Sequence, residues 1–297
     1  MGAKVRELRR RERSVQSTQQ ITKAMELIAA SRIVRAQARA RRSRPFAKAL
    51  NDMIAMLAGE VRGSPLLTER EQITNVGLVV ITSDRGLCGA YNSNVLREAE
   101  RARRRETDQG RMVQVRAVGR KGIGFYKFRQ VPLAAQHQGM SDHPTLDHAK
   151  EIAGEIIRQY VEGELDKVIL GYTEFVSTFL QRARAAQILP VPRPGGTEEK
   201  KEGPRALFDF EPEPEELLDA LLPRYVETRV YAALLESSAS EHAARRRAMK
   251  SATDNASELL KVLRRDKNRA RQSEITTEIA DIVGGAEALR SGAGASR

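Results

Sequence analysis

RYVETRVYAALLESSASEHAARRRAMKSATDNASELLKVLRRDKNRARQSEITTEIADIV, residues 224–283, runs for 60 residues without a proline or a glycine. Globular helices usually span about 8 to 20 residues, so this stretch reads as one long helix. Within it Met249, Ala252, Ala256, Leu259 and Leu263 recur at alternating intervals of three and four. That is the seam rhythm of a coiled coil, and the two alanines would let a partner helix come close. Extended back to the acidic start at residues 213–219, the helix would be a rod on the order of 100 Å at about 1.5 Å per residue. A rod of that length needs a partner to bury its seam.

The partner is sought at the other end of the chain. Residues 4–61 again have a helical pattern, with Leu8, Val15, Thr18, Thr22, Met25 and Ala29 on one stripe, continued by Leu50, Ile54, Leu57 and Val61. Pro45 falls mid-way and should kink or restart the helix there. The stripe is thin, carrying threonine and alanine where a tight dimer would carry leucine. Two such helices, both leaving one side of a central domain, must run antiparallel.

Between them the texture changes. Residues 76–82, VGLVVIT, form the continuous apolar run of a buried strand. A glycine-containing turn at residues 83–92 then feeds a helix over 93–105. A second strand is expected at 112–118, a short helix near Phe125, an irregular segment at 137–144 and an amphipathic helix at 145–163 facing Ile152, Ile156, Ile157 and Tyr160 inward. Strands follow at 166–175 and 182–191. This order belongs to a small α/β domain with a parallel sheet core. The fold class is therefore α/β plus a long antiparallel coiled coil, with N- and C-terminal helices bracketing a small Rossmann-like α/β domain. The expected boundaries are 1–62 for the first helix, 74–194 for the α/β domain, 195–212 for a Pro/Gly-rich exposed loop and 213–290 for the last helix.

Charge is unevenly spread along a chain of net +12. Residues 1–62 hold 15 Lys/Arg against 5 Asp/Glu, whereas residues 213–297 hold 14 against 14. The basic N-terminal helix admits two readings: a nucleic-acid footprint that releases phosphate counterions, or a solvated face complementary to an acidic protein surface. Its first aromatic is Phe46, so it offers no stacking platform for bases. No apolar run approaches the roughly 18 residues of a membrane span. The Arg-rich opening could pass for a presequence, but Glu7 and Glu12 spoil that acidic-poor pattern, and no targeting segment is read.

Motifs for chemistry are weak. The glycines at 86 and 89, and at 119, 122 and 124, match neither the dinucleotide fingerprint nor the phosphate loop. Structural turns explain them better, although the strand, turn and helix over 81–94 keep a nucleotide-binding enzyme open as a third class of function. His137, His143 and His148 lack zinc spacing and read as surface histidines. Cys88, the single cysteine, excludes an intramolecular disulfide, and with no histidine near it in sequence it reads as inert. No catalytic residue, metal site or cofactor is assigned.

The two ends and the first sheet turn carry the more specific signal. QITKAMELIAAS at 20–31, ITSDRGLCG at 81–89, AMKSATDNA at 248–256, ARQSEITTEIA at 270–280 and IVGGA at 282–286 resemble, in order and over nearly the whole length, the gamma subunits of F-type ATP synthases. The resemblance implies a non-catalytic central rotor shaft. Its two terminal helices would turn inside a hexamer of alternating alpha and beta subunits, and its α/β domain would form a foot with the epsilon subunit on the c-ring. Proton-driven rotation would then drive ATP synthesis on the beta subunits, with hydrolysis driving the reverse. It further implies no cofactor, no nucleic-acid partner, and a peripheral place on the cytoplasmic side of the plasma membrane. The matched motifs begin close to Met1, from which a bacterial type with no presequence is expected. By the same resemblance Arg271 and Gln272 contact a loop of one beta subunit, and Thr276 and Glu278 belong to the same contact or coupling segment. Met25 and Arg245 lie in the facing region that couples rotation to catalysis; for Met25, spacing alone would prefer ordinary packing. Glu211 resembles a foot position near epsilon and the c-ring. A basic coiled-coil protein that binds nucleic acid is the alternative.

Overall fold

The computed structural model of the chain describes residues 3–57, 64–192 and 213–294. They form two compact units: the described residues of Met1–Ile28 with Arg247–Arg297, and those of Ala29–Arg246. The elements are α1 (Ala3–Leu57), β1 (Asn75–Ile81), α2 (Tyr91–Asp108), β2 (Met112–Val118), α3 (Arg120–Phe128), β3 (Leu133–His137), α4 (Leu146–Val161), β4 (Lys167–Phe175), β5 (Gln181–Leu189) and α5 (Pro214–Gly294).

In the unit Ala29–Arg246 five strands lie in the order β3-β2-β1-β4-β5. The three pairings from β3 to β4 are parallel, and β5 joins β4 antiparallel. β1 is central and buried on both faces, which is why its sequence is apolar without alternation. Its Val79 and Ile81 face a core shared with Leu50, Ile54 and Leu57 of α1, Ile152, Ile156 and Tyr160 of α4, and Leu218, Leu222, Val226 and Leu234 of α5. Val76, Leu78 and Val80 face the other side, against Leu96, Ala99 and Ala102 of α2 and Tyr126 of α3. At the edge, β5 alternates Arg and Gln with Ala, a pattern that blunts strand addition.

In this unit three expectations need correction. The sheet has a further strand, β3, just before and including the first residue of the segment read as irregular. Its five residues hold two alanines and no β-branched side chain, so neither length nor propensity marks it. The helix does not restart at Pro45: α1 is continuous from Ala3 to Leu57. Proline removes a single donor there. Both Pro45 and Arg41, whose carbonyl loses that bond, are exposed to water, while the turns beyond are held by the buried Leu50, Ile54 and Leu57. His137 is not a surface histidine; it ends β3, is buried, and its Nδ1 lies 3.2 Å from Glu151 Oε1.

In the unit built from Met1–Ile28 and Arg247–Arg297, α1 and α5 pair antiparallel through a seam that is mostly polar. Glu12 accepts from Arg264 Nε at 3.2 Å and Lys267 Nζ at 2.6 Å. Gln19 Nε2 donates to Ser257 Oγ at 2.7 Å, and the Thr253 hydroxyl donates to that of Thr22 at 2.8 Å. Positions 5, 8, 12, 15, 19, 22 and 26 of α1, all at least half-buried, keep a three-four rhythm with Glu12, Gln19, Thr22 and Glu26 inside it, and Met25 is half-buried beside it. Thr18, expected on the seam, is exposed. On α5 the buried line passes through Met249, Thr253, Ala256, Leu260 and Leu263, so Leu259 is exposed in place of Leu260. Adjacent leucines fit either phase on apolarity, and the hydrogen bond through Thr253 holds the observed one.

Candidate functional site

The C-terminal part of α5 carries four of the residues singled out from sequence. Arg271, Gln272, Thr276 and Glu278 are all exposed. Thr276 donates to the Gln272 carbonyl at 2.9 Å, a bond within the helix that spends none of the outward polar surface of Gln272. Helical geometry brings the four onto one face, since 271 and 278 lie two turns apart and 272 and 276 one turn apart. The same face carries Ile275, Ile279, Ile282 and Val283, exposed by 44%, 56%, 72% and 58%. Four large aliphatic side chains at helical spacing, in solvent and rimmed by Arg, Gln, Thr and Glu, have the make-up of a protein-docking surface. From residue 275 to residue 286 every residue is exposed, so here the helix has no partner face within the described residues.

Met25 lies in the same unit and is half-buried beside Glu26, which is buried and bonded by Lys23 Nζ at 3.1 Å. Ile21, Leu27 and Ile28 around it are exposed. Glu211 lies outside the described residues.

Arg245 has a different environment, inside the unit Ala29–Arg246. It is 6% exposed, and its guanidinium donates to Glu241 Oε1 at 2.6 Å and to the carbonyl oxygens of Gly86 (3.2 Å) and Arg85 (3.3 Å). Arg245 thus fastens α5 to the loop after β1. Sequence reasoning missed the rest of this cluster: Glu241 and His242 on α5, Asp142 in the connection before α4, and Arg32 on α1, which donates to Asp142 Oδ2 at 2.7 Å. The signal available was Glu241 four residues before Arg245, a helical ion-pair spacing. Burial pushes the Glu241 carboxyl up, against the pull of Arg245. Burial, helped by the Arg245 charge, lowers His242 to about 4, leaving it a neutral ring at neutral pH.

The loop after β1 is a structural turn. The Asp84 carboxylate accepts from the amides of Arg120 (3.1 Å), Gly139 (3.0 Å) and Ser141 (3.2 Å), so an acid sits where a phosphate would need a donor. Ser83 N donates to Asn92 Oδ1 at 3.0 Å, which ties the two ends of the turn. Gly119, at φ 92°, has no room for a side chain, since a Cβ would lie 2.3 Å from the Thr82 carbonyl oxygen. Cys88 is buried, and desolvation raises its thiol, which suits an inert role.

A family profile described as ATP synthase matches residues 4–289. The chain is 50% identical over 296 residues to the ATP synthase gamma chain of Thermobifida fusca (strain YX), with 97% of each chain covered. It is also 50% identical over 298 residues to that of Parafrankia sp. (strain EAN1pec), covering 99% of this chain and all of the relative. Among solved structures it resembles a chain of the Tetrahymena thermophila mitochondrial ATP synthase central stalk and c-ring, with a TM-score of 0.59, 27% identity, and 78% and 99% coverage. A chain of the Euglena gracilis mitochondrial ATP synthase shares the fold, with a TM-score of 0.69 at 17% identity, covering 98% of this chain and 96% of that one. None of these relatives supports the nucleic-acid alternative. By these matches the chain belongs to the ATP synthase gamma-chain family.

Proposed function

We propose that the chain is the non-catalytic central shaft of an F-type, proton-translocating ATP synthase. Its α1–α5 pair turns within an alpha/beta hexamer, and its α/β domain joins the epsilon subunit on the c-ring. The observation that carries this reading is the exposed face at Arg271, Gln272, Ile275, Thr276, Glu278 and Ile279, an apolar surface with a polar rim on a helix end that has no partner face within the described residues. Arg271 and Gln272 then contact a beta subunit with Thr276 and Glu278 beside them, while Met25 belongs to the facing surface. The polar seam of Glu12, Gln19, Thr22, Thr253 and Ser257 suits a shaft, because hydrogen bonds fix the register of the two helices. A single state-dependent contact at Arg271 biases the catalytic sites by only the difference in its energy between states, about 1 to 3 kcal/mol.

No helix among the described residues is long and apolar enough to cross a membrane. The proposed place, which rests on the family, is peripheral, on the cytoplasmic side of the plasma membrane and held through the complex. Titration with labelled nucleotides and reconstitution with alpha and beta subunits test the reading together. The purified chain is expected to neither bind nor hydrolyse ATP and to restore coupled turnover to the hexamer. Robust ATPase activity of the chain alone would refute it.

A further inference from the structure

The cluster around Arg245 contains a second arrangement. Each of its carboxylates has one oxygen held by an arginine, Asp142 Oδ2 by Arg32 and Glu241 Oε1 by Arg245. Asp142, Glu241 and His242 converge, one oxygen of each carboxylate and one ring nitrogen lying within 4.8 Å of one another, and each leaves one polar atom over: Asp142 Oδ1, Glu241 Oε2 and His242 Nε2. These three atoms are buried and have no hydrogen-bond partner within the described residues. Glu241 is 0% and His242 1% exposed, and His242 Nε2 lies 3.8 Å from Asp142 Oδ1, too far for a direct bond. Three unpaired polar atoms in one buried cluster are costly, and a molecule that bonds all three would remove that cost.

A carboxylate pair with a histidine suggests a divalent cation, and two observations decide against it. Arg245 Nη1 lies 3.3 Å from His242 Nδ1, and a guanidinium only donates. Nδ1 therefore presents its lone pair, the ring proton is on Nε2, and an N–H cannot ligate a metal. The charges are also already matched: Arg32 and Arg245 offset the two carboxylates, and Arg85 Nε is 3.9 Å from Asp142. A divalent ion would add two uncompensated charges to a buried site. A water molecule meets every requirement. It accepts from His242 Nε2–H and donates one hydrogen to each free carboxylate oxygen, the roughly three bonds usual for internal water.

We propose that Asp142, Glu241 and His242 hold one internal water molecule. It completes a continuous polar clamp from Arg32 of α1, through Asp142, the water and Glu241, to Arg245 and the Gly86 carbonyl. This clamp fastens the α1 and α5 segments of the unit Ala29–Arg246 to the loops beyond β1 and β3. The inference stands on this chain's own contacts and holds whether or not the shaft reading is right.

A high-resolution map of the full chain, alone or within its complex, tests it directly after exposure to Mn2+ or Zn2+. The expected result is a density peak about 2.7–3.0 Å from all three atoms, with no anomalous metal signal. A metal peak at about 2.0–2.2 Å, or direct closure of His242 onto Asp142 with no peak, overturns the proposal. In solution, Asp142→Asn and His242→Phe are compared singly and together by hydrogen exchange of the amides at residues 84–88. Each single change is expected to speed exchange about tenfold, and the double variant to add little more, because both break the same bridge. If His242→Phe proves too disruptive, Asp142→Asn against Glu241→Gln gives the same cycle. Unchanged exchange, or effects that multiply independently, would sink the clamp.

Discussion

Two parts of α5 behave oppositely although both belong to one unbroken helix. From Ala233 to Arg245 every residue except Glu236 is buried; from Ile275 to Ala286 every residue is exposed. The buried part is not the more hydrophobic one. It holds Ser237, Ser238, Ser240, Glu241, His242 and Arg245, and Ser237 and Ser240 bond the amide and carbonyl of Thr173 on β4 at 3.2 Å each. The exposed part keeps Ile275, Ile279, Ile282 and Val283 in water. Ser237, Ser240 and Arg245 go inside where the sheet and a loop bond them, and large aliphatic residues stay outside where a partner would cover them.

Matched substitutions in the two parts sharpen this contrast. Arg245→Ala leaves Glu241 buried without its partner charge and should cost about 3–5 kcal/mol in denaturant unfolding. Arg271→Ala, at an exposed site, should stay within about 0.5 kcal/mol while lowering coupled turnover in the reconstituted hexamer. An equal stability loss for the two would break the comparison. Leu234→Ala, in the core beneath β1 and β4, should cost about 2–5 kcal/mol, whereas Ile279→Ala should leave the unfolding midpoint almost unmoved.

His242 supplies a test by pH. Its folded pKa is lowered from 6.5 to about 4 by burial and then by Arg245, with Asp142 acting against the shift and Arg32 and Arg39 adding to it. Between those pH values the unfolded chain takes up a proton that the folded ring refuses. Stability should therefore fall as pH drops from about 6.5 to about 4, by at most about 1.4 kcal/mol per pH unit, and be flat above. Glu241 and Glu236, both raised by burial, act in the opposite sense, so the slope is read as the difference between the parent chain and His242→Gln. No difference in slope would remove the buried neutral histidine. A modest effect is expected in the polar seam, where Thr253→Ala loses the bond to Thr22 and should lower stability by about 0.5–1.5 kcal/mol.

Much of the architecture was legible from periodicity. The unbroken helix over 224–283, the strand at 76–82 and the amphipathic helix with Ile152, Ile156 and Tyr160 inward follow from local chemistry, and the structure has each of them. What misled was apolarity used as the only marker of burial. The seam passes through Glu12 and Gln19, which hydropathy places outside, and it takes Leu260 over Leu259. β3 was hidden because an edge strand of Leu, Ala, Ala, Gln and His draws its stability from pairing with β2. The segment from Arg271 to Glu278 was singled out by motif and is exposed, whereas the cluster of Asp142, Glu241, His242 and Arg32 was not singled out, because its members lie up to 210 residues apart.

The sequence by itself determined where helix runs on unbroken, where the central strand lies and which family the motifs match, because propensity, apolar spacing and motif order are written along one chain. Only the tertiary structure decided which polar side chains are buried and what each of them holds. Burial of a charge or a hydroxyl depends on the donor or acceptor that meets it from another element. For Arg245 those partners are its own Glu241 and the carbonyls of Arg85 and Gly86, brought together by the fold.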